Sequence, residues 1–260
     1  MSSKNKKTKF NHNTSVLIQS VFVLLGTPVF FLIDSPWLTP HFLYGQDITN
    51  AIMVLVYSWF LLNAKGRVYW IMLLMTFCGL CAECISSLIL TLYQYRFKNI
   101  PLYIPLGHAL IYATVYYICK QSWVWRNHRV IEKCLGKFAF VSAFMSLFIL
   151  NDVAGFICYI VFLIILHDRK KPLFYLSMFV MVYYIELFGT VFSTWSWYGV
   201  IGNHPHFPPI GYTPSSMAGL YLLVDLVSCS VYFYAQKIRR YLWTMGLSLK
   251  SKTLNTSAAF

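Results

Sequence analysis

Three carboxylic acids, Glu83, Glu186 and Asp225, each lie inside a long apolar run. An acid at the centre of a bilayer costs on the order of 3 kcal/mol even on a lenient insertion scale, and such residues face a bundle interior. At helical spacing each acid shares a face with small and hydroxyl side chains. Thr76, Gly79, Ser86 and Ser87 accompany Glu83; Tyr183, Gly189, Thr190 and Ser193 accompany Glu186; Ala218, Tyr221, Ser228 and Cys229 accompany Asp225. Such stripes allow close helix packing and supply hydrogen bonds, so the three are expected to face one another. Carboxyls buried in this way suit a neutral clamp between helices or a general acid. Glu83 and Glu186 lie at similar depth, ~15 Å from the outer ends of their helices at 1.5 Å rise per residue, and Asp225 lies near the middle of the last apolar run. The remaining acids, Asp34, Asp47 and Asp152 at outer helix ends and Glu132 and Asp168 in inner loops, are expected to be solvated and structural.

Other side chains qualify as partners. His108, in YIPLGHALIY, is the one histidine placed inside an apolar run and is a candidate for the same cavity. Tyr93, Tyr95, Trp195 and Trp197 flank the two glutamates, and their faces suit a cationic intermediate or the end of a lipid-soluble substrate. His204 and His206 have a spacing known in metal sites but no third ligand, and Cys78, Cys81 and Cys84 drift around one helix; neither set predicts a metal. No cofactor is implied.

The elements that position these residues follow from composition. The chain has 260 residues, 58% hydrophobic, 18% aromatic and 11% charged, against about 25% charged in a soluble domain. A soluble globular protein is excluded. With about 20 apolar residues per crossing, eight segments are predicted to span: 15–34, 47–63, 68–93, 102–119, 135–150, 153–166, 173–195 and 215–236. The fifth and sixth are short and divided by Asn151 and Asp152, so they form either a tight helical hairpin or one broken span. The formal charge of +13 falls almost wholly between spans on one side, leaving Arg96 and Lys98 on the other. That is a positive-inside pattern with both termini cytoplasmic, and it removes any need for nucleic acid as a partner. The fold class is therefore all-α, a polytopic bundle in a bacterial inner membrane or a eukaryotic endomembrane. It divides into a basic tail (1–14), a first four-helix half (15–119), a basic loop (120–134), a second half (135–236) and a basic tail (237–260).

The halves carry a weak internal echo. Glu83 is followed by Tyr93, Tyr95, Asn99, Pro101 and Pro105, and Glu186 by Trp195, Trp197, Asn203, Pro205 and Pro209. Both runs leave the third helix of a half and cross an outer aromatic-proline loop into the fourth. Parallel repeats of four helices would give this pattern, as would the ordinary clustering of Pro and aromatic residues at an interface.

Absences narrow the chemistry. Seven scattered histidines cannot build paired iron clusters, NDVAG at 151–155 lacks the second aspartate of a magnesium-diphosphate motif, and no GxSxG, HExxH or Walker-type string occurs. What remains, Glu83 in CGLCAECISSLIL and Asp225 in SSMAGLYLLVDLVSCSVYFYAQKIRR, resembles the integral-membrane terpene cyclases of meroterpenoid pathways, with Ala82 where those cyclases carry Trp and eight spans where they have seven. ELFGTVFSTWSW around Glu186 is similar to the Glu-plus-aromatic pattern of carotenoid hydratases. The resemblance implies carboxyl groups that protonate an epoxide or alkene and settle the resulting cation. The residues alone imply something broader: proton-initiated cyclisation or hydration of an isoprenoid or other lipid-soluble substrate in an intramembrane cavity, with membrane lipids as surroundings. The alternatives are a proton-coupled small-solute transporter and a non-catalytic membrane assembly subunit.

Overall fold

The computed structural model describes residues 2–167, 169, 172–212 and 217–257. These residues are mostly helical. In chain order they form α1 (Ser2–Ile33), α2 (Gly45–Asn63), α3 (Arg67–Glu83), α4 (Tyr103–Cys119), α5 (Ser122–Arg126), α6 (His128–Leu150), α7 (Val153–His167), α8 (Pro172–Val191) and α9 (Met217–Ser257). Strands β1 (Tyr93–Tyr95) and β2 (Trp195–Trp197) make a two-stranded ribbon. Apart from short α5, the helices coincide with the eight predicted segments. Among the described residues four stretches are long and apolar enough to cross a membrane: Thr14–Ile33, Arg67–Ile89, His128–Leu150 and Pro172–Val191.

Polarity is inverted relative to a soluble protein. Leu25, Leu62 and Phe148 are 69–86% exposed, whereas Gln19, Asp34, Thr49, Glu83, Glu186 and Asp225 are buried. Hydrocarbon as the surrounding solvent accounts for both facts, since it solvates leucine and leaves a polar group to find its partners inside.

Several expectations are corrected. The bundle is not purely helical, because the third and seventh segments stop at Ile89 and Val191, and the residues beyond them turn and pair as strands. Residues 120–134 are largely helical, and α9 continues through much of the expected C-terminal tail. The divided segment forms two helices, with Asn151 in the left-handed conformation between them. Asp152 accepts there from the backbone N–H of Gly155 and of Gly211, both at 3.0 Å, capping α7 and tying down the loop before α9. It is fully buried rather than solvated.

Four helices make the centre. α3 packs on α4 and α8 on α9, and the pairs cross, α3 against α9 and α4 against α8. α1 and α2 pack against α4, while α6 packs on α8 and α7 on α9. Local chemistry permits these approaches. Pro28 removes the N–H that would bond the carbonyl of Leu24 inside α1, and Tyr184 of α8 donates its hydroxyl to that carbonyl at 2.7 Å. At the start of α2, any side chain on Gly45 would run into the carbonyl of Ile33.

Candidate functional site

Glu83 is the last α-helical residue of α3. Beyond it the helix widens into a π-turn over Cys84–Ile89, with Leu90 N–H bonded to Ile85 O at 2.8 Å and Leu92 N–H to Ser86 O at 2.9 Å. Such turns are frequent at functional sites. Thr91, at φ 45°, then reverses the chain into β1. This brings Tyr93 and Tyr95, alternate residues on one face of the strand, back onto their own helix. Both hydroxyls donate to Glu83 Oε2, that of Tyr95 at 2.5 Å. His108 Nε2, on α4, is hydrogen-bonded to Oε1 at 2.9 Å. His108 reaches this position because Gly79 carries no side chain: a Cβ there would stand 2.9 Å from the imidazole.

Glu186 repeats the plan with different residues. Ser193, at φ 55°, turns the chain after α8, and Trp195 of β2 folds back so that its indole N–H donates to Glu186 Oε2 at 3.0 Å. Gly189, one turn beyond Glu186, leaves the space that the Trp195 ring occupies. The strands pair antiparallel, Tyr93 with Trp197 and Tyr95 with Trp195, so the partners of both glutamates share one ribbon. The two carboxyls are buried to the same degree, 3% exposed, and interact electrostatically. Tyr221 of α9 closes the cluster, its ring stacked on His108 at 4.2 Å.

A cavity of about 310 Å³ meets this cluster. It runs between α1, α2 and α4, and its walls are almost wholly apolar, including Phe31, Met53 and Ile111. Trp195 and Tyr221 belong both to these walls and to the carboxyl cluster. Phe22 and Val29, also in the walls, are more than half exposed on the outer surface of α1.

The predicted residues thus divide. Glu83, Glu186, His108, Tyr93, Tyr95 and Trp195 meet. Trp197 is half-buried against Tyr93, with ring centres 4.7 Å apart; it stands outside the cavity wall, but its indole N–H also faces Glu186. Tyr93 and Tyr95 turn their hydroxyls to Glu83 and do not line the cavity either. Asp225 is corrected: the three stripes do not converge on one point, and Asp225 lines a separate cavity with Arg67 and Lys120. Tyr221, one turn earlier on the same face of α9, reaches the glutamates instead, because the rise of about 1.5 Å per residue carries the two side chains to different depths of the bundle. Its place in the Asp225 stripe was the available signal. His204 and His206 are exposed. Asp168 lies outside the described residues.

A further buried carboxyl, Asp34, braces the end of the bundle near the ribbon. It is fully buried, not solvated as expected. Tyr103 donates its hydroxyl to Asp34 Oδ2 at 2.7 Å, and the Arg96 guanidinium pairs with Oδ1 at 3.6 Å and donates to the Asp34 carbonyl at 2.5 Å. Burial lifts this carboxyl above its ordinary range, while Tyr103 and Arg96 pull it back. Arg96 directly follows β1, so the pair ties the ribbon to the end of α1.

The sequence matches no protein family, and neither a curated protein nor a solved structure matches it.

Proposed function

We propose that this chain is a multi-pass membrane enzyme that starts the cyclisation or hydration of an isoprenoid or similar lipid-soluble substrate by proton transfer. The observation that carries the reading is the apolar cavity that opens at Phe22 and Val29 on the flank of α1 and ends on Trp195 and Tyr221 beside two buried carboxyls. A lateral apolar entrance suits a substrate already dissolved in the bilayer. A solute transporter needs instead a route for water from each side in turn.

The hydrogen bonds divide the work. Three partners on Glu83 stabilise a negative charge there, whereas Glu186 is reached only by the indoles of Trp195 and Trp197 and is the proton source. Glu186 protonates an alkene or epoxide at the cavity end, and the faces of Trp195 and Tyr221 hold the carbocation that forms. Glu83, through its Tyr and His partners, balances that cation and takes up the proton released on closure. The resemblance to membrane terpene cyclases and carotenoid hydratases points to the same class of reaction. In this reading all eight long helices cross the membrane and both termini are cytoplasmic. The two glutamate-to-ribbon units descend from one duplicated four-helix half, which the antiparallel ribbon and the crossed packing of α3–α4 with α8–α9 support.

The test is an untargeted lipid comparison of membranes from an isoprenoid-producing host with and without the chain. A new product is expected, falling about a hundredfold or more in Glu186→Gln and in Glu83→Gln, as removal of a general acid or its counter-charge should cause. Identical lipid profiles, or a product indifferent to both variants, would overturn the proposal.

A further inference from the structure

The second cavity, of about 550 Å³, lies at the opposite, basic end of the central helices, between α3, α4, α5, α8 and α9. Its walls join three features that no part of the carboxyl cluster uses. Asp225 is 5% exposed, and its Oδ2 has no hydrogen-bond partner. A buried carboxylate in that state is costly until a cation or donor completes it. Tyr112, Tyr116, Phe174 and Tyr175 surround the space next to it. Cations stand over aromatic faces here: Lys120 above Tyr116 at 4.3 Å and Arg67 above Phe233 at 4.4 Å, while Arg169 lies 5.3 Å above Tyr175, a wall residue. Arg67 and Lys120 themselves line the cavity.

A simple anion would satisfy Arg67 and Lys120 and leave Asp225 alone; a simple cation would meet them as like charges. A zwitterion answers both. Aromatic faces beside a carboxylate are the arrangement that recognises substituted ammonium groups, and guanidinium and ammonium groups together recognise phosphate. We infer that this cavity binds the phosphate ester of an amino alcohol, its ammonium against Asp225 among the tyrosines and its phosphate between Arg67 and Lys120. The ester comes either as a soluble molecule or as a phospholipid headgroup. The site shares no residue with the Glu83–Glu186 cluster, so its failure would leave the proposed chemistry standing.

The full chain, purified in dodecyl maltoside, is titrated calorimetrically with phosphocholine, choline and inorganic phosphate. Phosphocholine is expected to saturate one site, at least about tenfold tighter than either fragment, because each charged contact is lost with its half. Asp225→Asn should weaken it about tenfold, and Lys120→Gln, at an exposed position that does not test folding, about threefold. In a second arm, discs of phosphatidylglycerol doped with phosphatidylcholine are assayed for co-purifying phosphatidylcholine by native mass spectrometry. Asp225-dependent retention assigns the lipid source, and saturation by soluble phosphocholine alone assigns the water-borne one. The inference is overturned if neither arm shows binding, if inorganic phosphate matches phosphocholine, or if affinity is indifferent to both variants.

Discussion

Glu83 and Glu186 each stand on a helix whose chain turns back through a left-handed residue into one strand of the same ribbon, and each is reached by an aromatic side chain from that strand. They differ in what reaches them. Glu83 is met by two phenols and an imidazole, while Glu186 is met by two indoles, Trp195 at 3.0 Å with its ring also walling the cavity, and Trp197 from the far end of the same strand. Similar backbone plans therefore hold two carboxyls whose surroundings differ in hydrogen-bonding capacity. A symmetric clamp between helices has no use for that difference, whereas a pair with separate donor and counter-charge roles requires it.

Substitutions can break the comparison. The largest structural effect is expected at Gly189: a methyl there meets the Trp195 ring, and that ring is held by Phe31, 5.1 Å away, as well as by Glu186. With that methyl well inside contact distance of the ring, Gly189→Ala should exceed the about 1–3 kcal/mol usual for overpacking, and the roughly 1 kcal/mol of helix propensity it gains does not offset this. Gly79→Ala, whose methyl would press on the His108 imidazole at 2.9 Å, should cost less. Thermal unfolding in detergent ranks the two, and the opposite order would mean that the Glu83 side is the more tightly packed half.

The hydrogen bonds come next. Trp195→Phe removes the 3.0 Å indole bond from Glu186 and leaves it with Trp197 alone, while Tyr95→Phe leaves Glu83 with both Tyr93 and His108. An unpaired buried acceptor costs about 1–3 kcal/mol, so Trp195→Phe should destabilise by roughly that amount and Tyr95→Phe by about half as much. Equal effects would erase the distinction between the two carboxyls.

The brace tests the ribbon's anchoring separately from the carboxyl contacts. Arg96→Gln removes the cation beside Asp34 but leaves the Tyr103 bond to the carboxyl. A loss of about 3 kcal/mol, in the range for removing one partner of a buried ion pair, should appear in the same unfolding assay. A larger loss would make the anchoring of the ribbon, rather than the carboxyl contacts, the chief support of the site.

Much of the architecture was legible along the chain because solvation by lipid is a local demand: each helix needs its own apolar run, and an acid inside one is conspicuous wherever it stands. Hence the mostly helical architecture with its four long apolar helices, the exceptional status of Glu83, Glu186 and Asp225, and the small residues beside them could be read from spacing. The antiparallel pairing of Tyr93–Tyr95 with Trp195–Trp197 joins residues about a hundred positions apart, and nothing in either tripeptide specifies the other. Burial of Asp34 depends on Tyr103 and Arg96, and the separation of Asp225 from the glutamates depends on how α9 is rotated against α3 and α8. The amino-acid sequence thus determined which groups had to be hidden from lipid. Only the tertiary packing decided which of them share a cavity, because side-chain convergence is set by helix rotation and crossing, which no single segment encodes.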